Sequence, residues 1–382
     1  MTKAEQTTPE RPPRRGPARR ALNLLACVCE GGLLLILLAW LLGRVVSDRF
    51  LWTQYLGWMP TEPVVIAVLL LLLVAALLRW GRPRVLPVVA AVLALGWMLA
   101  AEWRVHRAVL PGPARGPVRV AFMNISHRGG DASLDPLFNA GTDIVIMSNV
   151  HPQPISFERI YGVTHQSLME RTIGRTPGEA PPGEAHMARV GFFHVYSEHP
   201  IRRRAAAFLG EQESWIEGDT RGGGTVVLLE IDTPGGPLVV WAVDMPSTLG
   251  ASRRAMFEQM RAKVDGVTRV LTIDAVGRWV ASELDARDPI RAPDLVVGDF
   301  NTPAYAWSVE RFASGTRDAR ADAGWGPRGT FPAAGPFPGG IPLFPIDAGR
   351  LGDRVRATHA SRLRCDGCRH MGLVYDLGFT RP

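Results

Sequence analysis

The sequence is poor in cysteine, with four such residues among 382. Two of them lie inside an apolar segment near the start, and the other two, Cys365 and Cys368, form one Cys-x-x-Cys pair. A four-ligand zinc site commonly uses two such half-sites, and this sequence contains one. We predict a disulfide between Cys365 and Cys368, which suits a location outside the cytoplasm. A zinc knot with His359 and His370, or two free thiols, are the alternatives.

An excess of positive charge is also missing from most of the chain. Up to Arg104 there are 12 basic and 6 acidic residues, whereas the remainder has 31 basic and 30 acidic residues. The formal net charge of +7 therefore belongs mainly to the N-terminal part. Proteins that bind nucleic acids usually have a basic domain surface. Nucleic acid is thus a possible partner of the C-terminal part, but its charge does not indicate one.

The first apolar run lacks an Ala-x-Ala-like cleavage site, and it is too long for a signal peptide. Apolar segments occur at 21–46, 63–78 and 85–101. A bilayer core requires about 20 residues of helix, and about 17 are tolerated. We therefore predict three transmembrane helices in a membrane region at 21–104, after a basic tail at 1–20. Glu30 in the first segment either has a partner there or lies near the headgroups.

The positive charges predict the orientation of these helices. Five arginines precede the first segment, and Arg79, Arg82 and Arg84 connect the second to the third. Both groups belong on the cytoplasmic side by the positive-inside rule. We therefore expect a multi-pass protein of the inner or plasma membrane, with the lipid bilayer as a partner and the C-terminal domain on the periplasmic or extracellular side. The arginines that follow the third segment favour the opposite orientation.

A Pro/Gly-rich linker at 105–117 separates the membrane region from a domain at 118–382. Short apolar runs between turn residues predict strands in this domain, including 118–124, 225–232 and 294–300. A helical period predicts helices between some of them, and the longest prediction covers 252–284. Strands paired by hairpins, with helices between others, imply packed sheets covered by helices.

The segment VVGDFNTP at 296–303 ends an apolar strand with Asp299 and Asn301. Alternate residues of a strand point to the same side, so both side chains reach the rim where ligands bind. Asp can bind a metal or accept a proton, and the Asn amide can donate to a phosphate without a change of charge. This combination is typical of phosphoryl chemistry.

Six segments in order resemble the endonuclease/exonuclease/phosphatase superfamily, which has the pancreatic-DNase-like fold, and in particular its membrane-anchored bacterial members. These segments are VAFMNIS, GTDIVIMSNV, PLVVWAVDMPS, VVGDFNTP, GTFPAAGPFPGGIPLFPID and CRHMGLVYDL. The resemblance implies an α/β fold, a four-layer αββα sandwich of two packed mixed sheets, preceded here by three transmembrane helices. It also implies Mg²⁺- or Mn²⁺-dependent hydrolysis of a phosphoester.

The resemblance assigns roles to five residues that match the family's site. It implies that Asp299 activates water, that His370 stabilises the phosphoryl charge and that Asp347 orients His370. Asn124 and Asn301 would orient the reacting groups. The metal would lie at Asn149 and Asp299.

Several positions depart from the family pattern. Asn149 stands where a metal-binding Glu is expected, and Arg369 stands where an Asp is expected before the final His. Asp244 replaces a usual His. Loss of two acids opposes the binding of a hard divalent cation, so we expect weakened metal binding and turnover. Arg369 would favour a bound phosphate or carboxylate.

Two functions of different classes follow. The first is a phosphodiesterase or phosphatase with a depleted metal site, acting on a phosphorylated substrate. The alternative is a weak or inactive pseudoenzyme that binds a phosphorylated ligand or a protein. A thiol or zinc protein is a third hypothesis. The sequence leaves the substrate open, because specificity in such folds depends on loops.

Overall fold

The structure is a computed structural model, and it describes residues 16–79, 84–109, 116–126, 134–150, 167–168, 185–209, 224–247, 252–276, 278–284, 292–333, 341–365 and 367–380. The tail at 1–15 and the linker residues 110–115 lie outside these ranges. The chain forms two compact units. One contains Met1–Trp40 and Thr61–Trp97, and the other contains Leu41–Pro60 and Met98–Pro382.

Helices dominate the N-terminal part of the chain. They are α1 (Pro17–Val45), α2 (Leu51–Gly57), α3 (Thr61–Leu78) and α4 (Val85–Trp97), which a π-helical turn at Met98–Glu102 extends. Three of these helices, with that extension, are long and apolar enough to cross a membrane, and they coincide with the three predicted segments. Their composition indicates association with a membrane.

Glu30 of α1 is buried and has a partner within the first unit. Its carboxylate lies 3.1 Å from the Arg79 guanidinium, and it accepts a hydrogen bond from the backbone N–H of Arg84. A buried acid is stable when it is paired in this way. Of the two alternatives for Glu30, the structure has the one with a partner.

The second unit is built on two mixed sheets. Its described strands are β1 (Val118–Asn124), β2 (Ile144–Ser148), β3 (Met187–Val190), β4 (Phe193–Ser197), β5 (Ile201–Phe208), β6 (Thr225–Thr233), β7 (Gly236–Asp244), β8 (Arg269–Ile273), β9 (Trp279–Glu283), β10 (Leu295–Asp299), β11 (Arg317–Asp318), β12 (Asp347–Leu351), β13 (Val355–Leu363) and β14 (Gly372–Phe379). Its described α-helices after α4 are α5 (Asp135–Asn139), α6 (Arg253–Asp265), α7 (Trp307–Phe312) and α8 (Ala319–Ala323).

The six-stranded sheet has the order β13-β14-β1-β2-β4-β3, and the eight-stranded sheet has the order β11-β12-β10-β7-β6-β5-β8-β9. Strands β1 and β2 are parallel, as are β7 and β10, and the other pairs of these sheets are antiparallel. Parallel neighbours end at the same edge of a sheet, so β7 and β10 place their last residues side by side. This register determines the candidate site.

The main core lies between the two sheets. Phe122 and Ile146 of one sheet are fully buried together with Val240 and Val297 of the other. On the outer faces, α5 packs against the six-stranded sheet, and α6 and α7 pack against the eight-stranded sheet. The layers are therefore helix, sheet, sheet and helix, which confirms the predicted fold class.

The helix predicted over 252–284 is wrong in its second half. Helix α6 ends at Asp265 with Gly266 as its C-cap, and the chain then forms the antiparallel pair β8 and β9. Strand β8 also pairs with β5 and so extends the sheet. The run VTRVLTI is rich in β-branched residues, which favour strands, and this preference prevails where a sheet edge is available.

Candidate active site

Three aspartates form a row across neighbouring strands of the eight-stranded sheet. Asp299 at the end of β10 lies opposite Asp244 at the end of β7 and opposite Asp347 at the start of β12. Residues that are direct neighbours across strands point to the same face. We call Asp244, Asp299 and Asp347 the carboxylate row. Asp299 and Asp347 are buried, and Asp244 is half-buried.

His370 faces this row from the segment that precedes β14. Its Nδ1 lies 2.9 Å from Oδ2 of Asp347 and 3.9 Å from Oδ2 of Asp299. The Phe331 ring packs against the imidazole, with 4.8 Å between ring centroids. The backbone N–H of Asp347 donates to the Thr330 hydroxyl at 3.1 Å. These contacts bring the predicted orienting pair, His370 and Asp347, into hydrogen-bonding distance.

Two asparagines hold the Asp299 carboxylate. Asn124, at the end of β1 in the other sheet, donates its amide N–H to Oδ2 at 2.8 Å. The backbone N–H of Asn301 donates to Oδ1 at 2.7 Å, and its side-chain amide donates to Oδ2 at 3.2 Å and to the Met245 carbonyl at 2.7 Å. The site therefore lies where strand ends of both sheets meet, and all five residues to which the resemblance assigned roles converge there.

Asn149 lies directly after β2 and donates a side-chain hydrogen bond to Asp244. Its φ is 56° and that of Asn301 is 46°, both in the left-handed region. Among residues with a side chain, Asn, Asp and His adopt this conformation most readily. The backbone thus gives a local reason for Asn at 149, and the amide links that position to the carboxylate row.

Within the carboxylate row, the pKa values of Asp244 and Asp299 are raised. Burial and the charge of Asp347 raise the pKa of Asp299 to about 7. Burial and the charge of Asp299 raise the pKa of Asp244 well above its ordinary value, while His370 and the hydrogen bond from Asn149 oppose this rise. Burial lowers the pKa of His370, but the negative charges of the row outweigh it and raise that pKa to about 9. Among the described residues, the site therefore has an excess of acids, with three aspartates facing one imidazole.

This excess fits a bound cation. The ligand atoms of Asp299, Asp347 and His370 lie within 4.8 Å of one another. The Oδ1 atom of Asp347 is buried and has no hydrogen-bond partner in the described part of the chain. A buried carboxylate oxygen is costly unless a donor or a metal satisfies it. Oxygen donors of this kind suit Mg²⁺ or Mn²⁺.

The remaining departure, Arg369, directly precedes His370. Arg369 is half-buried, and its backbone N–H donates to the Ser126 carbonyl at 3.1 Å. Cys365 and Cys368 form a disulfide, which is buried in the cluster of side chains that packs on the outer face of the six-stranded sheet. His359 is exposed on β13. The structure thus has the predicted disulfide and not the zinc knot.

Arg253 is a residue near the site that the sequence did not indicate. It is buried at the start of α6, and its guanidinium donates to the Pro246 carbonyl at 2.6 Å. Burial lowers its pKa, while the charges of Asp299 and Asp48 raise it. No local pattern marks this arginine among the many others, because its proximity to Asp299 depends on how α6 packs on the sheet.

No protein-family model matches the chain, and no curated protein sequence matches it. Solved structures do resemble it. A mannosyl-6-phosphatase of Bacteroides thetaiotaomicron VPI-5482 is 14% identical with a TM-score of 0.44, and the alignment covers 69% of this chain and 100% of that chain. An endonuclease/exonuclease/phosphatase family protein from the same species is 13% identical with a TM-score of 0.42, covering 69% and 98%. Truncated TDP2 of Caenorhabditis elegans is 15% identical with a TM-score of 0.40, covering 69% and 98%. These three structures are similar to the chain at identities of 13–15% and TM-scores of 0.40–0.44.

Proposed function

We propose that the second unit is a metal-dependent phosphoester hydrolase, a phosphodiesterase or phosphatase. The observation that carries this proposal is the carboxylate row facing His370 at the edge where strand ends of both sheets meet. Carboxylates on adjacent strands repel each other and cost stability. Their retention at one rim is understandable if a cation and a phosphate bind there.

The residues have distinct parts in the proposed reaction. Hydrogen bonds from Asn124 and Asn301 fix Asp299, which takes a proton from the attacking water. The water oxygen forms a bond to phosphorus, and the bond from phosphorus to the ester oxygen breaks. Asp347 holds His370 as a charged donor to the phosphoryl oxygens. The alcohol leaves and takes up a proton.

A divalent cation would be held by Asp299 and by the Oδ1 atom of Asp347, with Asp244 and the amide oxygen of Asn149 beside them. When bound, it supplies positive charge to the phosphate and to the leaving oxygen. Asp244 is then the acid that offsets the missing Glu, because it lies next to Asp299 in the row and bonds to Asn149. His370, paired with Asp347, serves as a hydrogen-bond donor and not as a ligand.

The test uses the full-length protein in detergent with Mg²⁺ or Mn²⁺. Bis-p-nitrophenyl phosphate and p-nitrophenyl phosphate distinguish diesterase from monoesterase activity. We expect turnover that EDTA abolishes and that Asp244→Asn reduces. Binding of Mn²⁺ by the same variant, measured by calorimetry, should also weaken, and this readout does not depend on turnover.

Asp232→Asn provides the matched control, because Asp232 lies beside the turn between β6 and β7 and pairs with Arg202. We expect wild-type turnover and Mn²⁺ binding from it. Equal loss in Asp232→Asn and Asp244→Asn would contradict the assignment of the row.

The second candidate function is a pseudoenzyme that binds a phosphorylated ligand. Asn149 and Arg369 favour it, since both positions lack the acid expected by resemblance. The same assays separate the two functions. Binding of inorganic phosphate without turnover in either metal would favour the pseudoenzyme. A nucleic-acid substrate has no support from the charge of the domain.

We further propose that the protein is a multi-pass membrane protein with the domain at 118–382 on the external side. The segment Leu41–Pro60, which contains the end of α1 and the connection to α3, groups with the domain, and this supports placing that connection and the domain on one side of the membrane. Helices α3 and α4 then cross as a pair. We expect a reporter that works only outside the cytoplasm to be active when it is fused at Gly116. Activity of a reporter that works only in the cytoplasm would show that the orientation is the opposite one.

A further inference from the structure

The segment at 46–60, which connects α1 to α3, packs on the domain next to the candidate site. We call it the strap. The Ser47 hydroxyl accepts from the backbone N–H of Trp307 at 3.0 Å, and Asp48 accepts from the N–H and the hydroxyl of Ser308. Tyr305 donates its hydroxyl to the Gly57 carbonyl at 3.0 Å. The strap therefore holds the chain that directly follows Asn301.

The strap also reaches the surroundings of His370. The rings of Trp58 and Phe344 are 5.6 Å apart. Phe344 pairs through its backbone with Phe331, and the Phe331 ring packs on His370. One side of the strap is thus two aromatic rings away from His370.

A second set of contacts leads from the strap to Asp299. Gln54 accepts from the backbone N–H of Arg253 at 3.4 Å. Burial lowers the pKa of the Arg253 guanidinium, and the nearby charge of Asp299 opposes this change. The strap therefore borders the site on two sides and forms part of its rim.

Helix α2 of the strap buries polar side chains and exposes aromatic ones, the reverse of a helix on a water-facing surface. Its polar residues Thr53 and Gln54 are buried, at 0% and 5% exposure. Trp52 and Tyr55 are 58% and 53% exposed, and Phe50 beside them is exposed as well. A cluster of exposed aromatic side chains is unfavourable in water but common at the surface of a bilayer, where Trp and Tyr concentrate. The strap continues at both ends into helices long enough to cross a membrane.

The surface beside the strap carries positive charge. The guanidinium groups of Arg49, Arg254 and Arg311 lie 5.2–5.9 Å from the Trp307 ring, and all three side chains are exposed. Glu258 pairs with Arg254 and neutralises one of them. Clusters of arginine next to a bilayer attract anionic headgroups, at about 1 kcal/mol for each charge.

We propose that the exposed face of α2 rests in the bilayer surface, so that the candidate site takes phosphoesters carried by lipids of that bilayer in preference to soluble ones. This inference rests on the proposed hydrolase function. The strap forms part of the rim of the site, and its aromatic face fixes the distance between that rim and the headgroups. A lipid headgroup then meets the carboxylate row by moving in the plane of the membrane.

The test compares lipids with their soluble headgroups. The full-length protein is placed in nanodiscs of phosphatidylcholine that contain phosphatidic acid, phosphatidylglycerol or phosphatidylinositol. The soluble counterparts are glycerol 3-phosphate, glycerophosphoglycerol and glycerophosphoinositol. With Mn²⁺, we expect at least one lipid to be hydrolysed about tenfold faster than its counterpart at equal bulk concentration, because confinement raises the effective concentration. Its rate should follow the mole fraction of the lipid in the disc.

Variants of the strap sharpen the test. We expect the double variant Trp52→Ala/Tyr55→Ala to lose lipid turnover about fivefold while its turnover of p-nitrophenyl esters changes little. Val276→Ala is the control, because Val276 is apolar and even more exposed but lies in the turn between β8 and β9, at the opposite edge of the sheet from β12. It should leave both rates unchanged.

The outcomes separate the two proposals. Equal or faster hydrolysis of the soluble counterparts would overturn the lipid preference and leave the hydrolase function standing. Equal losses on lipid and on p-nitrophenyl esters in the strap variant would overturn the surface role of α2. Absence of turnover on every phosphoester, with either metal, would overturn the hydrolase function itself.

Discussion

The two ends of strand β10 carry the same residue type in opposite surroundings. Asp294 precedes the strand and Asp299 ends it, and both are at least 98% buried. At the first end, Arg354 makes two charged hydrogen bonds to Asp294, at 2.8 and 2.5 Å, and the Val239 N–H adds a third. At the other end, Asp299 lies between Asp244 and Asp347.

The difference separates structure from function within one strand. Asp294 has a complete set of donors and a cation, as a buried carboxylate needs for stability. Within the described residues, the carboxylate row has one imidazole for three acids, and Oδ1 of Asp347 has no hydrogen-bond partner. Burial alone therefore does not mark an acid as a candidate for the proposed reaction. An excess of acids at the end of a buried strand does.

Exchange of Asp299 for Asn should have the largest effect. We expect Asp299→Asn to reduce turnover about 10²–10⁴-fold, because a proton acceptor in the reaction is removed. Its melting temperature should equal or exceed that of the wild type, because one of three repelling charges disappears. Steady-state kinetics and thermal unfolding in detergent measure both. Robust turnover in this variant would remove Asp299 from the reaction.

Asp294→Asn, the same substitution directly before β10, should reduce stability and leave turnover unchanged. Asp294→Asn removes charged hydrogen bonds to Arg354, and we expect a loss of about 2 kcal/mol in the free energy of unfolding. Turnover per folded molecule should stay at the wild-type level. If turnover fell with unchanged stability, the distinction between the two ends would fail.

Addition of a divalent cation should stabilise the folded protein through the carboxylate row and not through Asp294. At a Mg²⁺ or Mn²⁺ concentration about tenfold above the dissociation constant, we expect a gain of about 1.4 kcal/mol. Asp244→Asn should reduce this gain, whereas Asp294→Asn should keep it. Thermal unfolding with and without EDTA gives the comparison, and equal gains in the two variants would place the cation elsewhere.

Asp318 is a further aspartate that is paired with an arginine, and the dependence of its contribution to stability on pH can be measured. Burial raises its pKa, but the Arg328 guanidinium and the backbone N–H of Arg320 outweigh it, so the folded-state pKa is lowered. A lowered pKa contributes stability that is present above the unfolded value of about 3.9 and is lost as the pH falls through the folded value. We expect Asp318→Asn to be less stable than the wild type by about 1 kcal/mol at pH 6, with the gap closing as the pH falls below the unfolded value of about 3.9. A gap that does not depend on pH would show that packing, and not charge, is responsible.

Much of the fold could be predicted because its patterns are local. The strand predicted over 118–124 is β1 without change, and that over 225–232 differs from β6 by one residue. The error over 252–284 arose where a helical period and β-branched residues compete, and pairing with β5 decided the outcome. Long-range pairing of this kind cannot be read from a window of sequence.

The candidate site was predictable in part. Motif order indicated Asn124, Asp299 and His370, whose convergence requires strand ends from two sheets. The importance of Asp244 depends on the parallel register of β7 and β10, which places it beside Asp299. Arg253 had no local signature, since only the packing of α6 brings it near the site.

By itself, the sequence determined three apolar helices, several of the strands, among them β1, β6 and β10, and the residue types at the ends of these strands. Length and hydrophobic period are properties of a local segment, and they need no knowledge of neighbours. The tertiary structure alone decided that the carboxylates form one row and that the strap borders it. Both depend on contacts between segments far apart in the chain, such as Asp48 with Ser308, and burial of such polar groups is stable only when each finds its partner in the folded protein.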